Sequence, residues 1–370
     1  LGVSEEQLNA FNDYNRKRAD PKRQPNPQIE ETAQIEITVD SKAKPGKYDL
    51  RLQTSIGLTN PIRFYIHVLP ECNENTSAEQ LEVTEVQQSL PVILNGQILP
   101  GDIDRFRFRA QRNQRFVAAV SARRLIPYLA DAVPGWFQAT ITLRDSNGRE
   151  VAYSDDHYFH PDPVLLCKIP RDGFYVLEIH DAIFRGREDF VYRISVGATP
   201  HVTSIYPLGT RSGEDVIVEA HGWNLPSLTG RLPARDRGTG IHAVNVRGKG
   251  GISNDVLFAI DTLRECMEKE PNDSRPDAQP IALPTIVNGQ MNRVGDWDVF
   301  GFEGAAGEEL VVEVIARRLN SPLDSAVEVT DVHGRQLAGN DDHEDVSAGL
   351  TTHHADSYVR VRLPESGIYY

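Results

Sequence analysis

The stretches NGQILPGDIDRFRF (residues 95–108) and NGQMNRVGDWDVFGF (residues 288–302) are almost the same phrase. Each places Gly-Asp-x-Asp-x-Phe just ahead of a run in which apolar and polar residues alternate. Alternation with a period of two is typical of a β-strand with one buried face, and Gly and Asp before it are typical of a tight turn. The repeated phrase therefore predicts the same turn and strand at two places in the chain.

The repetition extends well beyond this phrase. GLTNPIRFYIHVLPEC (57–72) aligns without a gap on GISNDVLFAIDTLREC (251–266), 194 positions further on. The motif ARRL at 122–125 returns at 316–319 with the same offset. A period that holds across most of the chain indicates a tandem array.

Short alternating runs are separated by Asp-, Asn- and Gly-rich turns such as DSNG, DVHG and RSGED. Strands of this length and spacing are typical of antiparallel β-sandwiches. One helical pattern is convincing, in SEEQLNAFNDYNRKRAD (4–20), where Ser4 can cap the helix and Leu8, Phe11 and Tyr14 form an apolar stripe. We therefore predict an all-β multidomain array of β-sandwiches with one short N-terminal helix.

The bulk composition narrows the class of partner. A chain of 370 residues is long enough for about two to four domains. Its net charge of −14 argues against nucleic acid and favours divalent cations as partners.

No run approaches the ~18–20 apolar residues of a membrane span. The cysteines, Cys72, Cys167 and Cys266, are too scattered for a disulfide framework or a thiolate zinc site, and we expect free thiols.

Two segments resemble bacterial pre-peptidase C-terminal (PPC) domains, and we call residues 71–198 the first copy and residues 265–370 the second copy. The second copy carries four motifs of that family in order: E-P-N-D at 270–273, G-D-W-D-V-F at 295–300, D-V-H-G-R-Q-L-A-G-N-D-D at 331–342 and P-E-S-G-I-Y at 364–369. The resemblance implies a jelly-roll β-sandwich. It also implies a non-catalytic accessory part of a secreted bacterial protein, attached to or removed from a peptidase or other hydrolase.

The intervening segments resemble the immunoglobulin-like IPT/TIG module. Residues 200–226 carry its I-x-P-x-G-x-x-x-G and G-x-N-L patterns, and residues 44–66 look like the closing half of an earlier module. The resemblances predict five parts: an inserted helix and linker at 1–31, a partial IPT/TIG-like domain at 32–70, a PPC-like domain at 71–198, an IPT/TIG-like domain at 199–264, and a PPC-like domain at 265–370, truncated at its C-terminus.

The acidic motifs suggest calcium in the second copy. Calcium takes six to eight oxygen ligands, and EKEPND at 268–273 places three carboxylates and an amide on a short extended segment that Pro271 stiffens. Related collagen-binding modules carry calcium where such a linker meets the Asp-x-Asp turn. This resemblance implies as metal ligands Glu268, Glu270, Asn272, Asp273, Asp296 and Asp298. The alternative is that Asp296 and Asp298 only cap a turn through bonds to backbone amides.

The first copy departs from this acidic pattern. Thr76 stands where the second copy has Glu270, and Ala78 and Glu79 replace its Asn-Asp pair. Asp102 and Asp104 remain. We therefore expect the first copy to have weakened or lost the site.

Other residue groups suggest rival chemistry. A transition-metal site could use His157, His160 and Asp162, or His343, His353 and His354, although neither set has the spacing H-E-x-x-H and a solvated loop is the alternative. The adjacent acids at 155–156 and 341–342 point to opposite faces of a strand, so turn roles are favoured over acid–base catalysis. The tryptophans, Trp136, Trp223 and Trp297, could stack on sugars, but we expect them in the core.

No nucleophile motif, phosphate-binding loop or dinucleotide fingerprint is present in the sequence. We therefore predict no catalytic residues and a non-enzymatic, extracytoplasmic array, secreted, periplasmic or at the cell surface. It would serve as a spacer and binding or adhesion surface in a larger secreted or envelope protein, rigidified by calcium. Its partners would be extracellular polysaccharide or protein, or other subunits of an envelope assembly. The alternative is a substrate-targeting region of a secreted hydrolase or peptidase whose catalytic domain lies outside this segment.

Overall fold

The computed structural model contains almost only β-strands. It describes residues 35–54, 57–75, 83–126, 136–158, 160–227, 229–232, 234–248, 251–344 and 353–370. The helices in this part of the chain are two single 3₁₀ turns, Arg275–Asp277 and Arg317–Leu319. The predicted all-β class is therefore confirmed. The helix and linker predicted at residues 1–31 lie outside the described residues.

The chain divides into two compact units, Leu1–Pro45 and Gly46–Tyr370, and the described strands lie in the second unit. Its first strands are Gly46–Leu50 (β1), Gln53–Thr54 (β2), Gly57–Leu58 (β3) and Ile62–Ile66 (β4). Strand β1 pairs antiparallel with β4, and β2 pairs antiparallel with β3.

The first copy forms two five-stranded sheets. Its strands are Glu71–Asn73 (β5), Val83–Glu85 (β6), Val92–Gln97 (β7), Asp104–Ala110 (β8), Arg115–Ser121 (β9), Ala139–Asp145 (β10), Glu150–Ser154 (β11), Val164–Lys168 (β12), Gly173–Asp181 (β13) and Val191–Gly197 (β14). One sheet has the order β11-β10-β13-β8-β6 and the other the order β12-β9-β14-β7-β5. Phe106 and Leu177 from the first sheet and Leu94 and Ile194 from the second are buried in one shared core.

Strand β8 shows why these residues form a two-faced sheet. Phe106 and Phe108 point into the core, while Arg105 and Arg107 pair on the outer face with carboxylates of neighbouring strands. The alternation read from DRFRFRA is confirmed, since apolar side chains at every second position are buried against the opposite sheet.

The middle segment forms two three-stranded sheets and a short hairpin. Its strands are His201–Tyr206 (β15), Gly209–Arg211 (β16), Val216–Trp223 (β17), Thr229–Leu232 (β18), Gly240–Val244 (β19), Arg247–Gly248 (β20), Gly251–Ile252 (β21) and Val256–Asp261 (β22). The sheet orders are β15-β17-β18 and β16-β22-β19, and β20 pairs with β21. Gly240 pairs with Ile260 as Gly46 pairs with Ile66, so the register of β1 and β4 recurs 194 residues later.

The second copy repeats the first with shorter strands. They are Arg264–Met267 (β23), Gln279–Pro280 (β24), Thr285–Asn288 (β25), Phe300–Gly304 (β26), Glu309–Glu313 (β27), Val327–Thr330 (β28), Gln336–Asn340 (β29), His343–Glu344 (β30), His353–His354 (β31), Tyr358–Arg362 (β32) and Gly367–Tyr369 (β33). Parallel β23 and β25 repeat parallel β5 and β7. Antiparallel β27 and β32 repeat β9 and β12 with the same register.

Two buried aspartates mark the repeat at the level of side chains. Asp162 accepts hydrogen bonds from the backbone amides of residues 122–124 and from Arg124 Nε. Asp356, 194 positions later, accepts the same bonds from the amides of residues 316–318 and from Arg318 Nε. The two ARRL motifs are therefore held by equivalent buried carboxylates.

The sequence predicted separate sandwiches, and this expectation is corrected. The described residues from Gly46 to Tyr370 form one compact unit, a continuous succession of sheets in the manner of a β-solenoid. The physical reason is that specific contacts cross the predicted boundaries. The Arg115 guanidinium lies 4.5 Å from the Trp223 ring centroid, and Tyr206 Oη donates a 2.9 Å hydrogen bond to the carbonyl of Asn288.

Candidate metal centre

The acidic residues meet where two backbone segments of the second copy are bonded together. Glu268 follows directly after β23, and its amide donates to the carbonyl of Asn288 at the end of β25, at 2.9 Å. Four residues later the carbonyl of Asn272 accepts from the amide of Val299, also at 2.9 Å. These bonds bring the linker alongside the Asp-x-Asp turn, as the sequence predicted.

Three carboxylates form a compact cluster. One oxygen from each of Glu268, Glu270 and Asp298 lies within 4.8 Å of the others. Two oxygens bound to one calcium ion, each ~2.3–2.6 Å from it, are at most about 5 Å apart. The cluster could therefore hold a metal ion without a large rearrangement.

The electrostatics of the cluster indicate a shortage of positive charge. Burial, the hydrogen bond with Glu268 and the negative charge of that residue raise the pKa of Asp298 to about 7. Asp298 Oδ1 and Asn272 Oδ1 are buried and have no hydrogen-bond partner among the described residues. A buried oxygen without a partner costs about 1–3 kcal/mol, which a cation at this place would offset.

Gly289 allows the backbone after β25 to lie close to the carboxylates. A Cβ at this position would be 3.2 Å from Glu268 Oε2 and 3.3 Å from Asp298 Oδ2. The next amide, that of Gln290, donates a 2.6 Å hydrogen bond to Glu268 Oε2. The repeated Asn-Gly pair of the opening motif therefore has a specific role, since it leaves room for the acidic cluster.

Two of the predicted ligands are engaged by an arginine. Arg293 forms an ion pair with Asp273, and its hydrogen bond lowers the pKa of that carboxyl group. Arg293 Nε also lies 3.3 Å from Asp296 Oδ1 without forming a hydrogen bond, so this buried oxygen has no hydrogen-bond partner among the described residues, while Asp296 Oδ2 accepts a 2.6 Å hydrogen bond from the amide of Asn292. The structure thus places Glu268, Glu270 and Asp298 together with Asn272 beside them, and Asp273 and Asp296 against Arg293.

The first copy contains a reduced form of the same arrangement. Glu74 Oε1 accepts from the amide of Gln97 at 3.0 Å, and Glu74 shares a hydrogen bond with Asp104. Tyr192 Oη donates a 2.5 Å hydrogen bond to Asp104 Oδ2. Burial and the bond with Glu74 raise the pKa of Asp104 to about 9, so the pair holds a proton at neutral pH. Thr76 and Ala78 lie outside the described residues.

Tyr206 belongs to the site and was missed by the sequence analysis. It lies on β15, and its hydroxyl bonds to Asn288 at the edge of the cluster. Burial, followed by the charges of Glu268 and Asp298, raises the pKa of Tyr206. Residues 206 and 288 are 82 positions apart, and no short motif links them, so the sequence offered no signal for this contact.

Among the described residues, His157, His160 and Asp162 do not form a group that could hold a metal ion. The carboxylate of Asp162 already accepts four hydrogen bonds, so it is committed to the ARRL backbone. The ring of His157 instead packs 5.3 Å from the ring of His201. The ring of His343 contacts Tyr358 at 4.8 Å, and the side chains of residues 353–354 lie outside the described part of the chain.

The tryptophans are a second correction. Trp297 lies between the two aspartates of the turn and is 62% exposed, because the turn that carries it faces solvent. Trp136 and Trp223 are half-buried and lie against Arg123 and Arg115, with guanidinium-to-ring distances of 3.8 and 4.5 Å. The expectation that all three belong to the core was wrong.

Comparison with known proteins gives partial similarities. No family model matches the chain. A probable subtilase-type serine protease of Deinococcus radiodurans is 32% identical over 104 residues, which is 27% of this chain and 13% of that protein's length. The described part of the chain has no helix of the length and apolarity needed to cross a membrane.

Two solved structures align with about a third of the chain. PliG of Aeromonas hydrophila, a periplasmic inhibitor of g-type lysozyme, gives a TM-score of 0.24 at 12% identity, covering 34% of this chain and 97% of that one. The pre-peptidase C-terminal domain of a collagenase from Bacillus anthracis gives 0.23 at 16% identity, covering 33% and 99%. At these TM-scores neither alignment defines the fold.

Proposed function

We propose that this chain is a non-catalytic, extracytoplasmic β-array that acts as a spacer and binding surface in a larger secreted or envelope bacterial protein. In this proposal the first and second copies are PPC-like units of the continuous array, and the segments before each are IPT/TIG-like units. The recurring strand register at a fixed offset supports this reading. The partners proposed are extracellular polysaccharide or protein, or other subunits of an envelope assembly.

The observation that carries the mechanism is the cluster of Glu268, Glu270 and Asp298 with unpartnered buried oxygens beside it. We propose calcium as the ion, because every donor is a hard oxygen and the arrangement is irregular, which calcium tolerates better than magnesium. Asn272 Oδ1 would supply a fourth protein oxygen. Asp273 would join only after release from its hydrogen bond with Arg293, and the unpartnered Asp296 Oδ1 lies outside the compact cluster.

Calcium at this position would stiffen a joint. The ligands come from the linker after β23 and from the turn before β26, and Tyr206 connects β15 to the same place through Asn288. The ion would fix two segments of the second copy against each other, and the hydrogen bond from Tyr206 to Asn288 joins the middle segment to this fixed region, so bending between them would be penalised. A spacer with a fixed angle would result.

Isothermal titration of the 370-residue chain with calcium and with magnesium tests this function. We expect one calcium site of about 10⁻⁴–10⁻³ M, typical of extracellular modules, and weaker binding of magnesium. Glu270→Gln removes a ligand that the first copy lacks and is expected to weaken binding at least ~10-fold. Asp341→Asn, an exposed aspartate outside the cluster, is the matched control. Absence of binding heat in the parent protein would remove calcium from the proposal.

A second candidate function rests on the partial identity with a subtilase-type protease. In that case the chain would direct a secreted hydrolase to its substrate. The sequence of the larger protein separates the two functions. A catalytic domain next to this segment would favour targeting, and further copies of the same repeating unit would favour a spacer.

A further inference from the structure

The outer face of one sheet in the first copy carries four arginines. Three of them, Arg105, Arg107 and Arg109, lie at alternate positions of β8, and the fourth, Arg144, lies on β10. Strand β13 runs between β8 and β10 and contributes Phe174, which is 45% exposed. We call the outer face of β8, β13 and β10 that bears these side chains the arginine face.

The pairing register places all four arginines on the same side of the sheet. Arg107 on β8 and Arg144 on β10 both lie opposite Val176 of β13. Arg105 and Arg109 are two residues before and after Arg107, and alternate residues of a strand share a side. The arginines of β8 therefore form a row with a spacing of ~7 Å.

Carboxylates on the arginine face offset only part of this charge. Glu178 accepts hydrogen bonds from Arg105 Nε at 2.9 Å and from Arg144 Nε at 2.6 Å, so one carboxylate serves two guanidinium groups. Glu85 forms an ion pair with Arg107 at 2.9 Å, with side chains that are 46% and 43% exposed. Because water screens such an exposed pair, an anion from solution can compete for Arg107.

The uncompensated charge lies beside the aromatic ring. Arg109 is exposed, and its side chain has no ion-pair or hydrogen-bond partner in the described part of the chain. It lies opposite Phe174, and the Arg107 guanidinium is 4.5 Å from the centroid of the Phe174 ring. The third carboxylate of the face, Glu150, is away from this group, opposite Arg144 on the edge strand β11. Two guanidinium groups and a phenyl ring therefore face solvent together.

The second copy shows that the fold does not require these residues. At the offset of 194, the two arginines beside the ring and the ring itself are replaced by Gly301, Glu303 and Ile368. The register is unchanged, since Glu303 pairs with Ile368 as Arg109 pairs with Phe174. The same two strands thus pair without arginines, so the stability of the sheet does not explain the arginine face.

Guanidinium groups bind carboxylates and sulfates through paired hydrogen bonds, and an exposed aromatic ring offers an apolar surface to a sugar ring. We propose that the arginine face binds an acidic polysaccharide, with acidic groups of the polymer on Arg107 and Arg109 and a sugar ring against the exposed part of Phe174. The dense phosphates of a nucleic acid duplex, about one per 1.7 Å, suit this sparse row poorly on a chain of net charge −14.

This inference rests on the proposed function in one respect, since it names the class of partner for the proposed binding surface. It does not use the candidate metal centre, which lies in the second copy. Cation binding and polysaccharide binding are therefore separate properties of the chain, and each can fail without the other.

Titration of the 370-residue chain with polygalacturonate, in EDTA, tests the arginine face. The methyl ester of the same polymer is the control, because it keeps the sugar backbone and lacks the charge. We expect saturable binding of the acid that weakens as salt is added, and at least ~10-fold weaker binding of the ester. No binding of the acid, or equal binding of the ester, would overturn the inference. EDTA prevents a calcium bridge between polymer and protein, so this failure would leave the calcium titration of the parent protein unaffected.

Variants locate the binding surface. The double variant Arg107→Gln, Arg109→Gln is expected to weaken binding of polygalacturonate at least ~10-fold. The control is Arg360→Gln, which changes an exposed arginine of β32 in the second copy that is paired with Glu309, and we expect it to leave binding unchanged. Equal binding by the double variant and the control would overturn the inference.

Two measurements on the parent protein keep the test decisive if the double variant misfolds. Polygalacturonate should slow the modification of Arg107 and Arg109 by phenylglyoxal, followed by mass spectrometry, and should not slow that of Arg360. Equal protection of all three, or of none, would overturn the inference. Poly-glutamate is titrated in parallel, and tighter binding of poly-glutamate than of polygalacturonate would show that the partner is an acidic polypeptide and would likewise overturn it.

Discussion

Replacing Asp298 by Asn tests whether the charge of this carboxylate destabilises the folded protein when no cation is bound. Without a cation, burial and the bond with Glu268 raise the pKa of Asp298 to about 7, whereas an aspartate in the unfolded chain titrates near ~3.9. The folded protein then holds a proton that the unfolded chain has released. The free energy of unfolding therefore falls as the pH rises from about 4 through about 7. The Asp298→Asn variant has no charge here and should lose this dependence.

The magnitude follows from the size of the shift and the exposure of the group. A shift of about three pKa units corresponds to ~4 kcal/mol if solvent does not screen it. Asp298 is only half-buried, so we expect ~1–2 kcal/mol. Asp298→Asn should be more stable than the parent by this amount at pH 8 without a cation, and equally stable at pH 4. With calcium at 100 times its dissociation constant the order reverses, since the parent gains ~2.7 kcal/mol and the variant little.

Urea unfolding at pH 4, pH 6 and pH 8, with EDTA and with calcium, measures these differences. Tryptophan fluorescence, to which Trp136, Trp223 and Trp297 all contribute, follows unfolding, and hydrogen exchange of β25 shows where it occurs. Asp341→Asn serves as the control for removal of one surface charge. If Asp298→Asn proves less stable than the parent at pH 8 in EDTA, the charged carboxylate stabilises the folded protein, and the reasoning is refuted.

Two further pairs of variants use the repeat as an internal control. Asp162→Ala and Asp356→Ala each remove a carboxylate that accepts hydrogen bonds from three backbone amides and an arginine. We expect urea unfolding to show a free energy of unfolding that is ~3–5 kcal/mol lower for each variant. A decrease below ~1 kcal/mol would contradict a structural role. Gly96→Ala places a Cβ 2.2 Å from the nearest side-chain atom, whereas Gly289→Ala places it at 3.2 Å. Calorimetry should show that Gly96→Ala lowers the free energy of unfolding by ~1–3 kcal/mol and that Gly289→Ala lowers it by less. The opposite order would contradict the distances at these two glycines.

Local patterns in the sequence predicted those features that depend on neighbours along the chain. Alternation identified the strands, and the offset of 194 residues predicted a tandem array, with which the structure agrees, because the pairing of Gly46 with Ile66 recurs as the pairing of Gly240 with Ile260. The meeting of the 268–273 linker with the Asp-x-Asp turn was also predicted, because the family resemblance supplied the long-range contact. Periodicity alone would not have placed these segments together.

Features that depend on contacts between distant residues could not be predicted from the sequence. Spacing places Asp273 and Asp296 among the ligands, but it does not show that Arg293 takes both of them. The bond from Tyr206 to Asn288 and the stacking of Arg115 on Trp223 likewise join segments that no motif relates. These cross-boundary contacts also explain why the array is continuous rather than divided into separate bodies.

The two copies show how the charge of a buried carboxylate pair can be balanced in different ways. In the first copy, burial and the hydrogen bond with Glu74 raise the pKa of Asp104 to about 9, so Asp104 holds a proton at neutral pH, and Tyr192 donates a hydrogen bond to it. The second copy keeps the same pair, Glu268 and Asp298, and adds Glu270. Burial and the hydrogen bond with Glu268 raise the pKa of Asp298 to about 7, and Arg293 is already paired with Asp273 and lies beside Asp296. The second copy therefore has a third carboxylate without an additional arginine, and in the proposed function a divalent cation would supply the missing positive charge.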